Sequence, residues 1–168
     1  FYISVTTTVL QPLQCQEHPN GKWTIRSYPS VICWETAEHK AMLTVGTLAF
    51  VAVPVAFLVA ACYVVRQFPK RMRAGDTAFL QAFAFLFVRF RPSQHPYILV
   101  QLLRSFLIAV VLIIPDLAVQ VFALQLVLLA GYSLSLHLLP FRVMKANVMD
   151  CVFSIATLSV VCLTAFFL

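Results

Sequence analysis

Charged residues and glycine are scarce in this chain, and the signatures of catalysis are missing from it. Only 11% of the 168 residues are Asp, Glu, Lys or Arg, whereas charged residues make up about 25% of a soluble domain. Glycine occurs four times, and the sequence contains no GxSxG, HExxH, Walker or GxGxxG motif. We therefore expect neither a soluble globular domain nor an enzyme.

Apolar residues are abundant instead. They make up 61% of the chain, and its mean hydropathy is +0.90. Soluble domains are about 45–50% apolar. A fold in water could not cover so much apolar surface, so lipid must cover part of it.

Four apolar stretches predict four membrane-spanning helices. About 20 residues cross a hydrocarbon core of about 30 Å. The stretches lie at residues 41–65, 97–114, 117–138 and 146–168. Pro54 is expected to kink the first of them. The predicted fold class is therefore an all-α, polytopic membrane protein whose helical bundle covers residues 41–168.

A phenylalanine-rich stretch that is too short to cross a membrane separates the first two spans. Residues 77–90 contain five phenylalanines, of which Phe79, Phe83 and Phe87 recur at a spacing of four. Asp76 is a suitable cap for a helix that starts there. The pattern predicts an amphipathic helix lying in the membrane interface. A re-entrant loop is the alternative.

The distribution of basic residues predicts the orientation of the spans. The segments 66–96 and 139–146 carry eight of the twelve Lys and Arg, whereas segment 1–40 balances three bases with three acids. Because cytoplasmic loops are enriched in Lys and Arg, segment 1–40 is predicted to face the non-cytoplasmic side, lumenal or extracellular. The position of the bases beside apolar runs also argues against nucleic-acid binding, despite a net charge of +6.

The five cysteines divide between the polar N-terminal segment and the apolar stretches. Cys15 and Cys33 lie in the polar segment, and its predicted compartment is usually oxidising, which favours a disulfide between them. Two free thiols are the alternative. The other three cysteines lie inside apolar runs and are interpreted as packing residues. No pair has the spacing of a zinc site, so no metal is predicted.

Two charged residues lie well inside the predicted spans. Arg104 and Asp150 lie about 10 Å and about 6 Å from the basic side, at a helical rise of about 1.5 Å per residue. Burying either charge alone is costly, which predicts an intramembrane charge pair. We interpret the pair as structural. An ion or proton path is the alternative, although one pair without further acids does not form a relay.

Histidines are the remaining candidates for chemistry. His95 and His137 lie near the basic-side boundary and are the candidate ligands of a pigment or haem, because imidazole is a common axial ligand. Histidines bonded to water or backbone are the alternative. His18 and His39 lie in the N-terminal segment and are the candidate centre of a membrane enzyme, which is the least favoured function.

Three stretches of the sequence together resemble a known family. They read CQEHPNGK…SYPSVICWETAEH, FLFVRFRP…PYILVQLLRSFLIAV and LPFRVMKANVMD. They are similar to the C-terminal transmembrane region of large protist membrane proteins of the TRP-like and polycystin-like kind. The matching residues are Cys15, His18, Pro19, Gly21, Tyr28, Pro29, Cys33, Trp34, Glu35, Arg91, Pro92, Tyr97, Arg104, Gln120, Pro140, Asn147 and Asp150.

The resemblance implies a helical membrane bundle with structural rather than chemical motifs. It also implies further spans and extracellular domains upstream. Residues 1–4 contain neither a Met nor a basic segment typical of a signal peptide. We therefore expect a truncated beginning.

Two functions are favoured by these observations. The first is a non-catalytic accessory or structural subunit of a larger membrane complex, photosynthetic or respiratory, with the lipid bilayer and other membrane subunits as partners. Its helices would contribute packing surface and contacts with lipid, chlorophyll or carotenoid, and a thylakoid is the corresponding membrane. The alternative is a fragment of a TRP-like ion channel or transporter, for which Arg104 and Asp150 are the motivating residues.

Overall fold

The computed structural model describes residues 2–166, which form a mostly helical protein with one small sheet. The α-helices are α1 (Tyr2–Leu10), α2 (Ala37–Phe50), α3 (Ala56–Arg73), α4 (Thr77–Ala82), α5 (Ala84–Phe87), α6 (Tyr97–Val111), α7 (Leu117–Leu138) and α8 (Met144–Ala165). Two 3₁₀ turns occupy Gln11–Leu13 and Pro92–Gln94, and a π-helical turn at Val51–Val55 joins α2 to α3.

Three helices are long and apolar enough to cross a membrane. They cover Ala37–Arg73, Leu117–Leu138 and Met144–Ala165. A mostly helical chain with apolar helices that could span a membrane is confirmed, with three such helices in the described residues where the sequence predicts four. The predicted fourth stretch extends to residue 168, and its last two residues lie outside the described part.

The remaining apolar stretch forms a shorter helix than predicted. Helix α6 has 15 residues and ends at Val111, whereas the prediction extended it to residue 114. Pro115 disfavours helical backbone at the residue before it, which explains an early end. Asp116 then starts α7, because its Oδ1 accepts the Val119 N–H at 2.9 Å.

The first long helix extends beyond its predicted limits at both ends. Thr36 caps its start by accepting the His39 N–H at 3.3 Å. The helix continues to Arg73, and three bases of its last turn, including Lys70 and Arg71, complement the negative end of the helix dipole.

Pro54 is accommodated by the π-helical turn. Proline has no N–H and cannot continue the α-helical hydrogen-bond pattern. The Ala56 N–H therefore bonds the Val51 carbonyl, five residues earlier, as π-helices do. The Tyr2 hydroxyl donates to the Pro54 carbonyl at 3.2 Å, so helix α1 supports the turn from outside.

The N-terminal segment contains a three-stranded antiparallel sheet that the all-α prediction overlooks. Strands β1 (Cys15–Glu17), β2 (Trp23–Ile25) and β3 (Tyr28–Ile32) pair in that order. Cys15 lies opposite Ile25 in the register, and both are buried in a small core with Val31 and Cys33. The sheet therefore has a core of its own beside the helices.

The helices connect two opposite faces of the molecule. Helix α6 packs between α1 and α7, and α8 packs on α7. At one face the sheet meets the α6–α7 turn, where Arg26 and Pro115 line a common crevice. We call this the cap face. The opposite face holds segments 66–96 and 139–146, and we call it the basic face.

The predicted interfacial helix is broken into two short helices at the basic face. Asp76 caps α4 as expected, since its Oδ1 accepts the Phe79 N–H at 3.1 Å. The chain leaves helical geometry at Phe83 and resumes in α5. This break allows the ring of Phe87 to stack on that of Phe68, with centroids 4.1 Å apart. A single helix over 77–90 is therefore not formed.

Candidate functional site

The disulfide predicted between Cys15 and Cys33 is present and is buried in the core of the sheet. We call the disulfide together with His39 the bracket. His39, fully buried, completes this bracket: its Nδ1 accepts the Trp34 N–H at 3.0 Å, which places the ring proton on Nε2. That nitrogen donates to the Pro12 carbonyl at 3.0 Å. The bracket ties the sheet to the start of α2.

The bracket also gathers three atoms of the kinds that bind metals. The two cysteine sulfurs and a ring nitrogen of His39 lie within 4.8 Å of one another. Both sulfurs are used by the disulfide, and both nitrogens of His39 are used by the backbone. His18 bonds Thr24 at 2.7 Å within the sheet. No hydrogen bond between described residues joins His18 to His39. The hypothesis of a membrane enzyme centred on these two histidines therefore gains no support from a contact between them.

A polar cluster lies between α6, α7 and α8. The Tyr97 hydroxyl bonds the Ser135 hydroxyl, and both groups are buried. The Arg104 side chain crosses α7 at Gly131, where a Cβ would lie 2.8 Å from its Cδ. Asp150 contributes a buried Oδ2 that has no hydrogen-bond partner in the described residues.

Arg104 and Asp150 belong to this cluster without touching. Both act electrostatically on the Tyr97 hydroxyl. The ion pair found in the part of the chain that the structure describes is Arg71–Asp76, at 3.0 Å, so Arg104 and Asp150 form no salt bridge within 4.0 Å. Their intramembrane pairing stays a prediction.

Glutamines bond within the bundle at two positions and face outward at a third. Gln120 donates to the Val111 carbonyl at 3.5 Å and Gln125 to the Cys162 sulfur at 3.6 Å. Gln101, on α6, is exposed and makes no hydrogen bond to any described residue. Its amide is therefore available to a group outside the chain.

A tightly bonded junction closes the basic face. The backbone N–H of Arg91 donates to the Pro140 carbonyl at 2.9 Å, and its side-chain Nε donates to the Phe141 carbonyl at 3.1 Å. The Phe141 ring packs with those of Phe90 and Tyr97, all three of them buried. The junction joins the segment before α6 to the loop between α7 and α8.

The structure brings several residues of the family resemblance together. Arg91, Tyr97, Pro140 and Asn147 meet at the basic-face junction. Cys15 and Cys33 meet at the cap face. Residues that are far apart in sequence thus form two local units, and the family resemblance itself stays a prediction.

The two candidate pigment ligands occupy different environments. The ring of His95 packs on Phe68, with centroids 5.2 Å apart, beside the basic-face junction. His137 is exposed in the last turn of α7. The structure neither joins them nor assigns either one a ligand, so pigment or haem binding stays a prediction.

Sequence reasoning missed His39 as a structural bracket and Phe141 as the centre of the junction. Neither lies in a motif whose spacing signals its role, because each role depends on partners 27 or 50 residues away. No family model, curated protein or solved structure shows significant similarity to the chain.

Proposed function

We propose that this chain is a non-catalytic, multi-pass membrane subunit that packs against other membrane proteins in a larger assembly. In this proposal α6 crosses the bilayer with the three longer helices, because it connects the same two faces. The cap face then lies on the non-cytoplasmic side, since the basic face holds most of the Lys and Arg.

Gln101 is the observation that carries the proposal. Its carboxamide is exposed on α6 and has no hydrogen-bond partner in the described chain. A polar amide beside lipid is unfavourable, whereas glutamine readily bonds between helices within a membrane. A helix of another subunit against this surface would provide the missing partner.

Helix α8 offers a second surface for such contacts. It packs on α7 and buries Asn147 and Ser154. An adjacent side of the helix exposes apolar residues along several turns, including Val148, Val152 and Ile155. Apolar surface of this kind suits lipid and neighbouring helices equally, so it permits assembly and does not by itself require it.

Gentle extraction tests the proposal. The tagged chain is solubilised from native membrane in a mild detergent, and a native gel with mass spectrometry identifies what migrates with it. We expect a large complex for the wild type and a smaller amount of it for Gln101→Leu. Ser159→Ala is the matched control, since Ser159 is exposed on α8 and bonds its own helix backbone. Migration as a lone chain, or an unchanged complex in Gln101→Leu, contradicts the proposal.

An absorption spectrum of the same band tests the photosynthetic version of the proposal. Chlorophyll or carotenoid bands that co-migrate with the chain would support a thylakoid complex. Loss of the chlorophyll bands in His95→Ala or His137→Ala would identify the axial ligand. A colourless complex would leave a respiratory or other membrane assembly.

A fragment of a TRP-like ion channel is the second candidate. The buried, unpartnered Oδ2 of Asp150 favours it, because an unsatisfied intramembrane carboxylate suits a cation path. Flux through purified chain in liposomes that is lost in Asp150→Asn would support this function. Asp116→Asn is the control, since Asp116 caps α7 at the cap face. Absence of flux in the wild type counts against it.

A further inference from the structure

A cavity at the basic face combines a positive rim with an apolar wall. Its volume is about 180 Å³, and it lies between the end of α3, the helices α4 and α5, and the loop after α7. The apolar wall includes Phe68, Leu80 and Phe87. The stacked rings of Phe68 and Phe87 hold that wall in place.

Three nitrogen-bearing side chains line the same cavity, namely Arg91, His95 and Arg142. Two of them are anchored by their surroundings. Arg91 bonds the Phe141 carbonyl through Nε, which leaves its two terminal nitrogens without a hydrogen-bond partner among the described residues. Arg142 is held through its backbone N–H, which bonds the Arg89 carbonyl at 3.4 Å, while its side chain is exposed.

No carboxylate faces these bases in the described part of the chain. The acids nearest in sequence to Arg91 and Arg142 are Asp76 and Asp150; Asp76 pairs with Arg71, and neither of the two lines the cavity. Two cationic side chains that line one cavity repel, and an anion bound there would relieve that repulsion. Arginine binds phosphate through paired hydrogen bonds, so a phosphate oxygen matches this rim in charge and geometry.

We propose that this cavity binds one anionic phospholipid of the basic-side leaflet. Its phosphate lies between Arg91 and Arg142, and the start of its acyl chains lies against the phenylalanine wall. The position suits a bilayer lipid, because the cavity lies where Ala37–Arg73 leaves the apolar zone. Basic pockets between membrane helices are a known kind of site for acidic headgroups.

Native mass spectrometry of the full chain in detergent tests this site. Phosphatidic acid, phosphatidylglycerol and phosphatidylcholine with identical dioleoyl chains are offered in equal amounts. We expect the wild type to retain one of the two acidic lipids in preference to phosphatidylcholine. Arg142→Gln should lower that preference about 5-fold, and Arg91→Gln with Arg142→Gln roughly 25-fold, from the usual contribution of each base to acidic-lipid binding. Equal retention of all three lipids by the wild type would overturn the proposal.

Two controls separate the cavity from general attraction by a basic surface. Arg73→Gln with Lys145→Gln removes the same charge from the basic face without touching the cavity lining. It should leave the preference within about 2-fold, since screening limits charges that are not in contact. A loss equal to that of the cavity variants would show that the surface potential, not the cavity, selects the lipid.

The apolar wall has a test without any change of charge. Ala84 lines the cavity at the start of α5, whereas Ala82, two residues earlier at the end of α4, is exposed and does not line it. Ala84→Leu should fill the cavity and lower lipid retention, and Ala82→Leu should not. Glycerol 1-phosphate is the soluble probe. If glycerol 1-phosphate displaces the bound lipid at the same concentration as phosphatidic acid, the site recognises free phosphate. The assignment to a bilayer lipid is then wrong.

Discussion

The side chain of Asn147 makes two hydrogen bonds to the backbone of Phe141, as a paired stretch of backbone would. Its Oδ1 accepts the Phe141 N–H at 3.0 Å, and its Nδ2 donates to the Phe141 carbonyl at 3.1 Å. Both residues are buried, so neither group can bond water instead. This two-way bond fixes the short loop between α7 and α8, and with it the position of the basic-face junction.

Asn147→Ala should destabilise the junction. The substitution leaves the Phe141 N–H buried without a partner, which costs about 1–3 kcal/mol. Unfolding of the purified chain in detergent, followed by size-exclusion chromatography after heating, measures the loss. Asn20→Ala is the matched control, because Asn20 bonds Lys22 in an exposed turn where water can replace it. Equal losses in the two variants would contradict the role given to Asn147.

His39→Phe should loosen the N-terminal cap, by which we mean the three-stranded sheet and its attachment to the start of α2. The apolar ring fills the same space and leaves the Trp34 N–H and the Pro12 carbonyl without their bonds, at about 1–3 kcal/mol for each buried group. Limited proteolysis at the cap, with the disulfide intact, measures the opening. His18→Phe removes a side chain that is only half-buried and should increase cleavage less. Unchanged protection in His39→Phe would show that the disulfide alone holds the cap.

Gly131 and Arg104 should be energetically coupled. An alanine Cβ at position 131 would lie 2.8 Å from the Arg104 Cδ, so the arginine must move in Gly131→Ala. The variant should lose stability in the wild-type background and little in an Arg104→Ala background, where alanine's helix propensity favours it. A double-mutant cycle should give a coupling of about 0.5–3 kcal/mol. Additive effects would place the Arg104 side chain elsewhere.

The side of the membrane on which the cap lies can be tested with two engineered glycosylation sites. Lys22→Thr places Asn20 before a glycine and a threonine in an exposed turn, which completes an acceptor sequence. Gly75→Asn does the same at the basic face, ahead of Asp76 and Thr77, and asparagine tolerates the positive φ of 68° there. Expression with microsomes should yield glycosylation of Lys22→Thr only. The reverse pattern would invert the proposed orientation.

The long helices and the disulfide could be predicted because their signals are local or compositional. Twenty or more apolar residues identify a span wherever its neighbours lie, and helix α7 begins and ends at the residues predicted. The disulfide between Cys15 and Cys33 follows from the oxidising compartment predicted for segment 1–40, which contains no other cysteine. These inferences need no knowledge of the tertiary contacts.

The small sheet and the basic-face junction could not be predicted in this way. Strands β1 and β2 have three residues each, too few for an alternating pattern, and only their pairing in the folded sheet defines them. The junction depends on Arg91 meeting a carbonyl 50 residues away. The break at Phe83 has the same origin, since contact with Phe68 competes with continuation of a helix that the local spacing favours.

The π-helical turn at Val51–Val55 sets the rotational phase between the two halves of the first long helix. It holds one residue more than an α-helical turn would, and each residue advances an α-helix by about 100°. Deleting one residue there would rotate everything that follows by that angle. Phe68 would then turn away from Phe87 and His95, so a single extra residue midway along this helix determines whether the cavity at the basic face exists.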